Sequence, residues 1–418
     1  MLIQAPKRPL TGVGASVSST AGRPLRLLTF TTLYPNAAQP NHGVFVENRL
    51  RHLVAGGEAE STVLAPVPWF PSASPRFGDW ARYATIPLRE TRHGLTVHHP
   101  RFLAPPRLGM FTGPAALYVA ARAALRRLLA EGHRFDLIDA HYLYPDGVAA
   151  LRLGREFGLP VVITARGSDT SQLPHYRLPG RAIRRAIVQA DALIAVSAGL
   201  KEGLVALGAP ERKVTVLRNG VDLETFRPAP SPEVARAALG LGPKHEAGPL
   251  LISVGHLIER KGHHHIIAAL PQLPRHTLLV LGEGPERAAL QELAHRLGVA
   301  DRVRLVGAQP HARLPLYYSA ADAMVLASSR EGWANVLLES MACGTPVVAS
   351  PAWGSREAVR APEAGLVMDE ISPKAIAAAI RQLLAAPPAR AATRAYAEGF
   401  GWDETTAGQV SLFREVLA

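Results

Sequence analysis

The sequence predicts an α/β protein made of two doubly wound domains facing a central cleft. The 418 residues exceed the roughly 100–200 of an ordinary domain. Short, continuous apolar runs rich in β-branched residues alternate with helical patterns. That is the signature of parallel sheets covered on both faces. The alternation occurs twice, and a stretch holding Pro228, Pro230, Pro232 and Pro243 separates the two sets, as a hinge linker would.

In the first set, buried strands are expected at 26–30, 61–66, 137–140, 161–165, 192–197 and 214–217, with helical patterns such as 115–130 and 181–189 between them. In the second, strands are expected at 250–255, 277–282, 303–307, 323–328 and 346–350, with a helix over 286–297. The resulting division is a loose tail over 1–24, an N-terminal doubly wound domain over 25–225, a C-terminal one over 226–399, and a helix over 400–418 that can cross back to the N-terminal domain. In such open sheets ligands bind beyond the C-terminal strand ends, where strand order reverses. Chemistry is therefore expected in the loops that follow strands.

Composition narrows the classes. Hydrophobic residues make up 48% and charged residues 19%, an ordinary globular balance that excludes gross disorder. The single cysteine, Cys343, excludes an internal disulfide framework and a thiolate metal cage. It fits a reducing compartment, the cytoplasm. A net charge of +12 favours a partner bearing phosphates or an anionic membrane face, although arginine-rich cytoplasmic proteins reach that balance without one. Nucleic acid is not expected, because basic and aromatic residues do not interleave. No run of about 18 apolar residues escapes charge, and the N-terminus has no apolar core of a signal peptide.

The strongest motif runs from Ser328 to Glu339. A strand ends near Ser328, and a helix starts near Asn335 and runs to Cys343; Gly344 suits its left-handed cap. Gly332 lets backbone approach a ligand closely. The amides of Asn335, Val336 and Leu337 are placed to face a phosphate at a helix N-terminus. Glu339, one turn in, can accept hydrogen bonds from ribose hydroxyls, and Glu331 can reach a sugar hydroxyl. Taken alone, Glu331 reads more often as a carboxylate favouring the helix N-terminus and Glu339 as a solvated helix residue; the strand–loop–helix–Gly–Thr–Pro–strand context favours the ligand site.

This segment, through Ala342-Cys343-Gly344-Thr345-Pro346, resembles the paired-glutamate signature of glycosyltransferase family 4, a retaining family with the GT-B fold of two Rossmann-like domains. Weaker motifs follow in that family's order. Gly255 to Gly262 resembles the segment whose cations neutralise the donor diphosphate. Lys261 matches the lysine, His256 stands where an arginine is common, and Arg260 can replace that charge. Fixed cations there stabilise the departing diphosphate more than the ground state. Gly282-Glu283-Gly284-Pro285 resembles the family's turn near the nucleotide. Asn219-Gly220-Val221-Asp222 resembles a motif at the domain crossing, and Gly43 matches the glycine loop facing the diphosphate. On the acceptor side, Arg166 stands where many members have the histidine near the reacting centre. His141 is then expected to supply an imidazole, Arg166 to orient the acceptor or its phosphate, and Asp169 either to hydrogen-bond an acceptor hydroxyl or to cap the following turn.

The resemblance implies transfer of a sugar from a nucleotide sugar, a UDP-sugar favoured and a GDP-sugar open, to a saccharide or lipid-linked saccharide in cell-surface polysaccharide or glycolipid assembly. It requires no cofactor or metal. His263-His264-His265 points three ways on a helix, and the acidic motif of metal-dependent transferases is not evident. Arginines 122, 126 and 127 and 177, 181, 184 and 185 offer faces for peripheral contact with an anionic membrane. The alternative is a catalytically weak nucleotide-sugar-binding partner subunit or sensor.

Overall fold

The computed structural model describes residues 22–105, 109–242 and 248–418. The tail expected over 1–24 falls outside them up to residue 21, as does Pro243 of the linker.

The first sheet has eight strands. From edge to edge they are Val214–Val216, Ala192–Ala195, Val161–Ala165, Leu137–His141, Leu25–Phe30, Ala59–Leu64, Leu95–His98 and Arg89–Arg92. All neighbours pair in parallel except the last two. The second sheet runs Val303–Gly307, Thr277–Leu281, Leu250–Val254, Ala323–Leu326, Val347–Ala349, Gly365–Val367, parallel throughout. Both are doubly wound, as the apolar runs require: the central strands are buried along their whole length, so helices must cover both faces. Strand order reverses beside Leu25–Phe30 in the first sheet and beside Leu250–Val254 in the second.

Several helices start on a serine cap. Ser197, Ser231 and Ser372 each accept a hydrogen bond from the backbone N–H three residues on, satisfying an otherwise orphan donor. The last helix, Asp403–Leu417, returns to the first sheet. Val410, Leu412 and Phe413 join Leu25, Val46 and Leu50 in one apolar cluster, and buried Arg49 donates to Gln409 at 2.8 Å. The outgoing and returning chain segments touch where Val221 N–H donates to Phe400 O at 2.9 Å.

Among the described residues five strands escape the sequence patterns, two of them the short parallel pair Val67–Pro68 and Arg101–Phe102. Arg89–Arg92 and Leu95–His98 form a hairpin at a half-exposed edge, and Gly365–Val367 is a three-residue edge strand. None carries a long apolar run.

Candidate active site

The two strand-order reversals face each other across a cleft of about 970 Å3. Its C-terminal wall is built from two loops. One leaves Leu250–Val254 and makes a single turn at Glu259–Lys261. The other leaves Ala323–Leu326 and enters the helix Asn335–Ala342. The loops are tied together: Ser329 N–H donates to Arg260 O at 2.9 Å, and Arg260 Nη1 donates to Arg330 O at 2.8 Å. Lys261 Nζ donates to Glu331 Oε1 at 2.6 Å, with Arg260 3.9 Å from the other oxygen. Burial alone raises the Glu331 carboxyl, but the charge and hydrogen bond of Lys261 prevail and hold its pKa below the usual range.

The N-terminal wall comes from the loops after Leu137–His141 and Val161–Ala165. Arg166 Nη2 donates to His141 Nδ1 at 2.6 Å and Nη1 to Asn219 Oδ1 at 3.2 Å, while its guanidinium lies 5.2 Å from the Phe45 ring centre. Burial first, and the like charge of Arg49 second, lower its pKa to about 9. His141 is also held below its ordinary value, by burial against an opposing Asp139. Accepting from Arg166 at Nδ1 leaves its proton on Nε2, 3.3 Å from Asp139 Oδ2.

The walls meet backbone to backbone. A Cβ on Gly332 would lie 2.3 Å from Arg166 O and 3.0 Å from Gly167 Cα. Around this contact Asn219 Nδ2 donates to Asn335 Oδ1 at 3.3 Å, and Trp333 Nε1 donates to Asn219 O at 3.0 Å. Trp353 seats its indole over Gly199, where a Cβ would come within 2.7 Å of Cγ. Glu357 beside it pairs with Arg218 at 2.6 Å.

Lys261, Arg260, Glu331, Gly332, Asn335, Val336 and Arg166 thus line one cleft. Other expected residues stand elsewhere. Glu339 lies one turn along its helix, accepting from the buried Tyr318 hydroxyl at 2.9 Å with His311 at 3.8 Å. Gly255, Gly282 and Gly284 lie where two loops press together; a Cβ on Gly282 would sit 1.9 Å from Gly255 O. Gly43 opens the helix Val44–Ala55 beneath Leu33.

Three expectations need correction. Leu337 does not offer a free amide: its N–H donates to Ala334 O at 3.0 Å, and its side chain is core. Asp169 does not face an acceptor: fully buried, it accepts backbone N–H bonds from Leu143, Arg166 and Gly167. It staples the loop that carries Arg166. His141 is buried behind Arg166 rather than on the wall.

The arginine faces differ too. Arg122 and Arg126 pair with Glu156, and Arg127 with Glu131. Arg184 lines the cleft with Thr170, Ser171 and His175, which sequence patterns did not single out. Asn219 joins both walls, and its resemblance to a crossing motif was the available signal. Among the described residues no group of three His, Cys, Asp or Glu side chains could hold a metal. His263 of the histidine triplet is buried against Ser253.

Two doubly wound domains facing one cleft, with Arg260, Lys261 and Glu331 on its C-terminal wall, have the architecture of the GT-B fold. Sequence profiles agree: residues 44–225 match Glycosyltransferase Family 4 and residues 242–400 match Glycosyl transferases group 1. The chain belongs to glycosyltransferase family 4, and is a retaining glycosyltransferase. It is 30% identical over 430 residues to D-inositol 3-phosphate glycosyltransferase 1 of Catenulispora acidiphila, covering 94% of this chain and 96% of that one. It is 30% identical to TuaC of Bacillus subtilis, provisionally named a teichuronic acid biosynthesis glycosyltransferase, over 79% of this chain and 83% of that one. Among solved structures, the sucrose-phosphate synthase of Thermosynechococcus elongatus superposes with TM-score 0.76 at 24% identity, covering 94% of this chain and 99% of that one. Anabaena HepE in complex with UDP and glucose superposes at 0.70 and 20%, covering 93% and 98%. These likenesses show the fold.

Proposed function

We propose that the protein transfers a hexosyl group from a UDP-sugar to a hydroxyl of a saccharide or lipid-linked saccharide in cell-surface polysaccharide or glycolipid assembly. The observation that carries this reading is the Lys261–Glu331 pair, 2.6 Å apart, beside Gly332 and the helix that starts at Asn335, all lining one cleft. The diphosphate lies against Lys261, Arg260 and the amides of Asn335 and Val336. Glu331 holds a sugar hydroxyl, and Glu339 the ribose. Uracil is favoured over guanine, and the UDP complexes of HepE support that choice.

In the reaction the bond from the anomeric carbon to the β-phosphate oxygen breaks. The acceptor oxygen bonds to the same face of that carbon, and its proton passes to the departing β-phosphate. Side chains then mainly position reactants and stabilise the growing negative charge. Arg166, on the opposite wall and fixed by His141 and Asn219, orients the acceptor; His141 acts through it rather than on substrate.

Isothermal titration with UDP and GDP tests the donor site. Glu339→Gln is expected to weaken UDP about tenfold or more, the usual effect of losing charged hydrogen bonds to a ligand hydroxyl pair. Tyr318→Phe, which removes the hydroxyl Glu339 accepts from, separates loss of a ribose contact from loss of side-chain positioning. An unchanged UDP affinity in Glu339→Gln removes the ribose assignment.

A lipid-linked acceptor would hold the enzyme at a membrane surface, and we place it peripherally at the inner face of the plasma membrane, on the cytoplasmic side. The helix Arg177–Gln189 exposes Arg181 and Arg185 together with Leu178 and Val188, the mixture of charge and apolar area that suits anionic headgroups. No helix among the described residues is long and apolar enough to cross a membrane. Because Arg184 belongs to the cleft, the test uses Arg181→Gln/Arg185→Gln: co-sedimentation with phosphatidylglycerol vesicles should fall severalfold. Unchanged sedimentation ends the membrane proposal.

A further inference from the structure

The nine-residue helix Ala198–Ala206 of the N-terminal domain carries two glycines four residues apart, Gly199 and Gly203. That spacing puts both on one face. Glycine is a poor helix residue, and the space these two leave is filled from the other domain. The Trp353 indole lies along one turn of the helix. A Cβ on Gly199 would stand 2.7 Å from its Cγ and 3.1 Å from its Cδ1; a Cβ on Gly203 would stand 3.3 Å from its Cη2. The five-membered ring therefore covers Gly199 and the six-membered ring Gly203. Thr170 closes the notch, with its Cγ2 3.0 Å from the Cβ position of Gly203. Trp353 keeps 42% of its surface exposed, on the cleft wall, so it joins the two walls rather than filling either core.

A polar contact holds the same notch. Gly199 N–H donates to Glu357 Oε1 at 3.1 Å, while Arg218 Nη2 donates to Glu357 Oε2 at 2.6 Å. Gly199 lies in the first turn of its helix, where N–H groups lack a partner within the helix and a carboxylate is favoured. The C-terminal domain thus caps a helix of the N-terminal one. The residue after Trp353 leads to the donor loop. A Cβ on Gly354 would stand 2.7 Å from both Gly332 O and Trp333 Cα, and its N–H donates to Glu331 O at 3.4 Å. With no slack at Gly354, any movement of Trp353 in its notch is passed to the loop that carries Glu331 and Gly332.

We propose that Trp353 is a positioning residue for the transfer: seated in the notch of Gly199 and Gly203, it fixes how the two walls meet and, through Gly354, where Glu331 stands relative to the N-terminal wall. This rests on the transfer reading above and adds to it a residue that acts on the alignment of donor and acceptor. It does not act on donor affinity. Lys261, Arg260 and Glu339 all belong to the C-terminal domain and keep their own partners there without the indole.

The test is nucleotide release by the full chain from UDP-glucose, UDP-galactose and UDP-N-acetylglucosamine, beside calorimetry with UDP. Trp353→Ala should lower kcat about tenfold or more, as misplacement of reacting groups does, while UDP affinity stays at the wild-type value. Trp353→Phe should fall between, because its ring covers Gly199 but stops short of Gly203. Gly199 stands off the cleft wall, so Gly199→Ala disturbs the indole alone. It should lose as much kcat as Trp353→Ala, with a melting temperature no lower than wild type, since alanine favours a helix. The double variant should be no slower than Trp353→Ala, as expected of one shared contact. Wild-type kcat in Trp353→Ala removes the proposal. Wild-type kcat in Gly199→Ala alone shows that the indole works on a substrate directly, and the positioning role is wrong while the donor site stands. If wild type binds no UDP and releases nucleotide from none of the three, the transfer reading fails and this inference with it.

Discussion

Replacing Lys261 with alanine should lower kcat by about a thousandfold, the upper range for removing one group that stabilises developing negative charge. The size follows from two losses at one point. The cation that meets the departing diphosphate disappears, and Glu331, held ionised mainly by Lys261, keeps the more distant Arg260, at 3.9 Å, as a weaker counter-charge beside the same phosphate. The repulsion that remains distinguishes this from simple loss of a contact. Removing the stranded charge as well, in Lys261→Ala/Glu331→Gln, should therefore recover about tenfold in kcat relative to Lys261→Ala, a coupling expected of residues in contact. Steady-state rates of nucleotide release measure both. A double variant slower than Lys261→Ala by the full independent cost of Glu331→Gln would show that the pair does not act as a unit.

The second large effect belongs to Gly332. Alanine there suits the local backbone, since Gly332 has no left-handed φ, but its methyl would stand 2.3 Å from Arg166 O on the opposite wall. The clash lies between domains, so opening the cleft relieves it without unfolding either. Gly332→Ala should keep its melting temperature yet lose about a hundredfold in kcat/KM, the order expected when reacting groups are displaced by about 1 Å. Small-angle scattering with UDP present should show a larger radius of gyration than wild type. Wild-type kinetics and an unchanged radius would mean that the domains need not meet at this point during catalysis.

How much of this was legible in the sequence follows from which forces leave a local pattern. Strands buried on both faces announce themselves as apolar runs, so both sheets could be read, while the polar hairpin at Arg89–His98 could not. The loop from Ser328 to Glu339 was legible because glycine, cap and glutamates fall within one strand–loop–helix unit. Partners brought together from afar leave no such trace. Asp169 looks like a loop carboxylate free for substrate until three backbone amides are seen to converge on it. Leu337 looks like a helix-start amide until Ala334 O accepts its hydrogen. Arg184 reads as one of four arginines on a basic helix face, and only the folding of the preceding loop brings it to the cleft wall. The family resemblance suggested Arg166 as a residue near the reacting centre but could not show that His141 and Asn219 hold it.

The most direct test of a nucleotide-sugar site between the facing loops is nucleotide release from a panel of UDP- and GDP-sugars, run with wild type, Lys261→Ala and Glu339→Ala. The expected result is release from one donor by wild type, above the spontaneous rate, and its loss in both variants. Release that survives in both variants, or no donor turned over by wild type at any concentration, would contradict the site described here.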